Sequence, residues 1–272
     1  MLQFDDLLGL VSAATGAAVL REGGRLSDAW KTVFHAAPTN DTSPADFDRL
    51  LHRHRTREGQ DGEAIQRRSP DAGDGTERLV VVGQAEEKTD VPPLVDPALA
   101  SSLADGTRSV FVVHPNTAPA TVRRILVPTD FSEAAAEGVH CALRLADVYD
   151  ARVVLLHVIE KSPYIALTRR DRLSMGPAAL PEHRAQRRLQ HCVRAQGTPD
   201  VPIDRRIRVG AAADQIDREA DSEGIDLLVL VAHGAGHEGQ GGLGHVAEQV
   251  LRRVTGPLFL LRPSHELPAS AS

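Results

Sequence analysis

Cysteine is nearly absent from this 272-residue chain, with Cys141 and Cys192 the only two. Both fall within predicted helices of the second half and neither belongs to a CxxC or Cys/His spacing. A disulfide framework and a structural zinc site are therefore not expected, and a reducing compartment is. Long apolar runs are lacking too, since none approaches the ~18 residues that span a bilayer, so no membrane partner is expected. No dense block of Lys and Arg offsets the formal charge of −6, which argues against nucleic acid as a partner. Asp5 and Asp6 stand where a secretory signal would carry positive charge, so the expected location is cytoplasmic. What is present is 42% hydrophobic and 25% charged residues, enough to bury a sizeable core over a length that suits two domains.

From Arg123 onward strand and helix patterns alternate. "RILVPTD" and "ARVVLLHVIE" are short continuous apolar runs of the kind found in parallel strands covered on both faces. Between them Ser132 caps "SEAAAEGVHCALRLADVY", whose apolar positions recur at helical spacing. "KSPYIALTRRDRLSMGPAALP" has no sustained period and predicts a mobile surface segment, a candidate lid, before a helix at about Pro181 to Gln196. A third strand in "VPIDRRIRVG", a helix in "AAADQIDREADSEG" ending at Gly224, and a fourth strand in "IDLLVLVAHG" follow. A glycine-rich loop, the helix "GHVAEQVLRRV" and a last strand "GPLFLLRP" complete a predicted doubly wound parallel sheet of five strands.

The end of the first half repeats the end of the second. "RLVVVGQAE" through "SVFVVHP" runs parallel to "DLLVLVAHG" through "PLFLLRP", with a constant offset of 148 from Gly83 and Val231 to Pro115 and Pro263, hard to obtain by chance. "LLGLVSAATGAAVL" matches "ALRLADVYDARVVL" as helix, small-residue turn and strand, with no counterpart of "ILVPTD" before it. The fold expected is thus α/β with two such sheets, the first copy truncated. Its boundaries are 1–118, 119–264 and a flexible tail at 265–272, with "NTAPAT" as linker and a disordered polar insert at "HRTREGQDGEAIQRRSPDAGDGTE". A small sensor domain of the GAF type, with a helix and hairpin around "REGGRLSDAW", is the alternative for 1–118. The exposed final strands "SVFVVHP" and "PLFLLRP" each need a cover, which predicts that the halves pack as an internal pseudo-dimer; association of two chains into a homodimer stays open.

Asp130 stands where the first strand of the second half meets its helix, the edge at which open parallel sheets collect ligands. A carboxylate there accepts hydrogen bonds from neutral donors, such as ribose hydroxyls or a base amine, rather than welcoming phosphate. The glycines of "HGAGHEGQGGLGH" let a backbone approach closely, and the helix opening at Gly244 offers amides to an anion. Base at one end and phosphate at the other is nucleotide geometry.

These residues carry a resemblance to the universal stress protein family, from "RRILVPTDFSEAA" through "LLHVIE" to "HGAGHEGQGGLGHVAEQVLRRVTGPLFLLRP". The first half resembles a degenerate copy, as in tandem members. Nucleotide-binding members carry Gly, two residues, Gly, nine residues, then Gly followed by Ser or Thr. Gly234 and Gly244 match the last two glycines, whereas Val231 replaces the first and His245 the hydroxyl. The resemblance implies a stress-response protein that binds an adenine nucleotide (ATP or another, with or without Mg2+) in a regulatory role. It implies Pro128, Thr129 and Asp130 near base and ribose, and Val158 against the base. Leu230, His233 and Gly234 follow from the fourth strand, and Gly244, His245, Val246 and Ala247 stand at the phosphates. His245 would there link affinity to pH. The competing expectation is an interaction protein of the same fold whose pocket Val231 and His245 have closed.

Against these stand plainer readings. Asp130 also fits a turn carboxylate beside Ser132, the glycine run a floppy connection, and His157 a satisfied core histidine. His233, His237 and His245 lie close together, but the glycines between them set no metal geometry and no metal is expected. No nucleophile, base and orienting acid can be grouped, so no catalytic residue is assigned; slow ATP hydrolysis is a third, weaker expectation.

Overall fold

The computed structural model describes residues 6–11, 15–30, 32–39, 42–58, 65–67, 79–83, 108–113, 122–160, 180–195, 200–221, 224–234 and 242–263. In the first half these form β1 (Asp6–Val11), α1 (Gly16–Trp30), β2 (Val33–Pro38), α2 (Pro44–Glu58), β3 (Ile65–Arg67), β4 (Leu79–Gly83) and β5 (Ser109–Val113). The second half runs β6 (Arg124–Pro128), α3 (Glu133–Tyr149), β7 (Arg152–Ile159), α4 (Pro181–Ala195), β8 (Ile203–Val209), α5 (Ala212–Ala220), β9 (Leu227–Val231), α6 (His245–Leu251) and β10 (Leu258–Leu261). Together the strands make one ten-stranded sheet in the order β3-β2-β1-β4-β5-β10-β9-β6-β7-β8.

Every neighbouring pair is parallel except β5 and β10, which are antiparallel. The two expected sheets are therefore joined through their final strands, with Phe259 opposite Phe111 and Leu260 opposite Val110. The two phenylalanine rings stand 5.6 Å apart, 0% and 2% exposed. Each strand covers the other's unpaired backbone edge, which a long apolar strand cannot leave open to water. At the far edges lie the three-residue β3 and the charged β8, "IDRRIRV", and charge on an edge strand discourages further pairing.

The order within each half is the same, and so is the register. Leu7 pairs with Leu79 as Ile125 pairs with Leu227; Val80 pairs with Val110 as Leu228 pairs with Leu258, preserving the offset of 148. The first half therefore does have a leading strand, β1, and the expectation of a truncated copy without it is corrected. "LLGLV" is strand rather than helix, and "GAAVL" opens α1 rather than forming a strand. Val19, Gly23, Leu26 and Trp30 repeat at helical spacing along its buried side. "REGGRLSDAW" lies wholly within α1 and β1 is parallel to β2, so the GAF-type hairpin is absent there. The glycines have a packing reason: a Cβ on Gly23 would come within 2.1 Å of the Phe34 ring, and one on Gly9 within 2.7 Å. Part of the polar insert is ordered as the end of α2 and as β3. The rest of the insert, the linker "NTAPAT", the segment after β7 and the tail lie outside the described residues.

Two apolar layers flank the sheet. One runs across both halves beneath α1, α2, α3 and α4, from Phe34 and Phe47 to Val139 and Leu189. The other gathers Ala213 and Ile216 of α5 and Val250 and Leu251 of α6 over Leu156, Leu228 and Leu258, and extends to Val80 and Val110 of the first half. The halves also meet where Tyr149 of α3 donates from its hydroxyl to the carboxylate of Glu22 in α1, 2.9 Å away. Glu22 is 1% exposed, and burial raises its pKa against the lowering effects of Tyr149, Arg25 and Arg21.

Candidate functional site

The chain leaves β6 toward β7 and leaves β9 toward β10, so the sheet has a topological switch point between β6 and β9. Crevices outside the carboxyl ends of strands at such points are where α/β sheets receive ligands. A cavity of about 430 Å³ opens there on the α5/α6 side. All the residues singled out from sequence line it. Pro128, Thr129 and Asp130 come from the end of β6 and Val158 from β7. Leu230, His233 and Gly234 come from β9 and beyond, and Gly244, His245, Val246 and Ala247 from the start of α6.

The turn after β6 is held tightly. Thr129 donates its backbone N–H to Leu156 O, 2.8 Å away, and its own carbonyl accepts from His157 Nδ1 at 2.8 Å, so His157 serves as a positioning residue. Phe131 has φ 67°, a left-handed conformation uncommon for a bulky residue and typical of constrained turns; its N–H donates to Thr129 Oγ1 at 3.1 Å. Asp130 is held as a turn carboxylate beside Ser132. Its Oδ1 accepts from Ser132 N and Ser132 Oγ at 2.9 and 2.6 Å, while Ser132 Oγ caps α3 by accepting from Ala135 N at 3.1 Å. Its Oδ2 faces Gly234, where a Cβ would come within 2.5 Å of it. Only glycine at 234 admits that approach.

Val231 Cγ2 packs toward α3, where a Cβ on Gly138 would meet it at 2.4 Å, so Gly138 leaves room for one branch of that side chain. Val231 also contributes to the cavity lining, as does His245. His245 is exposed, and its Nε2 lies 2.8 Å from Gln249 Nε2.

Several lining residues escaped the sequence reading: Leu156, Glu160, Ala212, Ile216 and Ala232. Alternation along β7 placed Leu156 and Glu160 on the same face as Val158, and that signal could have found them. Glu160 accepts from Ala212 N at 3.2 Å and so ties β7 to α5. Arg262 was also missed. At the end of β10 and 4% exposed, it donates from Nη1 to Gly242 O at 2.7 Å, lies 3.5 Å from His233 Nε2, and donates its backbone N–H to Ser109 Oγ of the first half at 3.0 Å. The loop from 235 to 241, with His237, lies outside the described residues. Among the described residues no group of three or more His, Cys, Asp and Glu is placed to hold a metal, and no helix is long and apolar enough to cross a membrane.

A family model described as the universal stress protein family matches residues 121–262. The chain belongs to the universal stress protein family. Among curated relatives, Universal stress protein MJ0531 of Methanocaldococcus jannaschii is 26% identical over 140 residues, covering 52% of this chain and 82% of that protein. Universal stress protein MJ0577 of the same organism is 24% identical over 156 residues, covering 52% and 94%. In fold, a universal stress protein from Archaeoglobus fulgidus aligns over 96% of this chain and 99% of its own, with a TM-score of 0.61 and 16% identity. A Pseudomonas aeruginosa protein described as functionally unknown, PA1789, aligns over 96% and 94% with a TM-score of 0.70 and 14% identity. The last two likenesses span both halves, so the universal stress protein fold is that of the whole ten-stranded arrangement.

Proposed function

We propose that this universal stress protein binds one adenine nucleotide in the second-half cavity and uses it as a regulatory ligand rather than a substrate. The observation that carries the reading is the convergence of four separate segments on one cavity at the switch point, within the ~300–1,000 Å³ range of small-molecule sites. Leu156, Val158, Ile216 and Leu230 supply an apolar wall for a base. The Asp130 carboxylate supplies an acceptor for ribose hydroxyls, and Gly234 and Gly244 leave backbone close to the opposite end. Among the described lining residues no side chain is arranged with a base and an orienting acid to activate water, and we propose binding without turnover.

The same reading makes residues 119–264 the competent copy and 1–118 a tandem copy that has lost its site, paired as the intramolecular counterpart of a dimer. In sequence, the offsets of 118 and 148 align Ser12 with Asp130, Glu86 with Gly234 and Asp96 with Gly244, so the residues proposed for the site are not repeated in the first half. The fold suits a cytoplasmic protein, and among the described residues no helix is long and apolar enough to cross a membrane.

Calorimetric titration of ATP, ADP and AMP into the purified chain and its Gly234→Val variant tests the proposal. ATP should bind the parent, and the valine, which forces Asp130 out of place, should weaken it at least tenfold (~1.4 kcal/mol). No heat in the parent, or equal affinity in both, would exclude this cavity.

A further inference from the structure

A second cavity, of about 600 Å³, lies on the other side of the turn after β6, between the start of α3 and one face of α4. Arg184, Arg187, Arg188 and His191 stand along it at helical spacing, with Phe131, Ser132 and Ala136 opposite. Like charges three and four residues apart destabilise a helix, so this stripe works against the element that bears it. Several arginines elsewhere in this half are matched to carboxylates: Arg206 and Arg208 share Glu219, and Arg253 bridges Asp214 and Asp217. Among the described residues Arg184 and Arg188 have no carboxylate partner. Arg188 is nevertheless held in place, its guanidinium 4.2 Å above the Phe131 ring, whose centroid lies 4.3 Å from that of His157. Stacking on an aromatic face orients the planar fork while leaving its N–H groups to reach a ligand.

We infer that this cavity is a second ligand site, distinct from the nucleotide cavity, that takes a small multivalent anion bearing phosphate groups. Guanidinium forks match phosphate oxygens bidentately. Four basic side chains spaced over two helical turns, roughly 10 Å of rise, exceed what one monovalent anion can engage. The volume of the cavity falls in the small-molecule range, which suits a compact ligand. The two cavities share the strained turn: Asp130 lines one, Phe131 and Ser132 line the other.

Inorganic tripolyphosphate is the probe, titrated by calorimetry at low and high salt into the full chain. The parent and Val246→Glu, which puts a carboxylate into the first cavity away from the shared turn, should bind it alike, more weakly at high salt. Arg184→Gln/Arg188→Gln should lose at least about tenfold with no change in thermal midpoint. Arg188→Lys, which keeps the charge but not the fork, should fall between. Equal binding by the double glutamine variant would overturn the inference, as would loss of binding in Val246→Glu, which would assign the anion to the first cavity. Binding of a polyglutamate peptide that tripolyphosphate does not displace would also overturn it, in favour of an acidic protein partner.

Discussion

The two halves of the molecule repeat one strand order and one register, yet they differ in what stands at their strand ends. Residues 1–118 hold 18 Asp and Glu against 12 Lys and Arg, while 119–272 hold 19 of each, so the net charge of −6 sits in the first half. The second half ends its β6 and β9 strands on Asp130 and Gly234, which interlock. In the first half the corresponding sequence positions are Ser12 and Glu86. Strand pairing and core burial therefore specify the fold in both copies, whereas a site needs a few residues just beyond the strands. The first copy kept the former and serves as the surface that covers β10.

If the halves stabilise each other through that seam, its centre should show the largest effect. Phe259→Ala removes a fully buried ring and should cost about 3–5 kcal/mol in denaturant unfolding. Phe111→Ala should cost a similar amount and unfold both halves in one transition. Separate transitions for the two halves would break the comparison at its root.

How far the sequence reveals this architecture differs between the halves for a physical reason. The strands of the second half, and β4 and β5 of the first, are continuous apolar runs, and their constant offset is readable without a structure. β1 and α1 are misread because "SAATG" looks like a small-residue turn after a helix and "REGG" like part of a hairpin, whereas Gly9 and Gly23 make room for Phe34 on β2. β3, "IQR", is a short edge strand with no apolar pattern. In the site, the family resemblance nominates residues on the strand ends. The contributions of Glu160, Ile216 and Arg262 arise from elements packed together only in the fold. Val231 reads as an obstruction, yet Gly138, on another element, leaves room for one branch of its side chain.

At the next level of magnitude, Asp130→Ala should weaken ATP by roughly ten- to a hundredfold, the value of a hydrogen bond to a charged group at about 1.5–3 kcal/mol. His245→Ser replaces a ring held by Gln249 with a hydroxyl able to donate directly. ATP affinity should rise about fivefold, as one neutral hydrogen bond of about 1 kcal/mol allows; unchanged affinity would remove residue 245 from the ligand.

The smallest effect concerns the contact between the halves at Glu22. Burial raises its pKa above the ordinary 4.5, so ionisation works against folding. Stability relative to a neutral residue is fully present below the unfolded value and is lost as pH rises through the raised folded one. Glu22→Gln keeps an acceptor for Tyr149 without the charge. It should match the parent near pH 4 and exceed it at pH 8, by no more than about 1.5 kcal/mol. A variant less stable than the parent at pH 8 would show that Arg21 and Arg25 outweigh the burial.

The central claim, that two copies of one fold share a chain and only the second retains a site, is tested most directly by counting ATP molecules bound per chain at saturation. Equilibrium dialysis with labelled ATP at concentrations well above Kd should give one per chain in the parent. The value should fall to none in Gly234→Val at the same concentrations. Two per chain, or one that persists in Gly234→Val, would contradict the account.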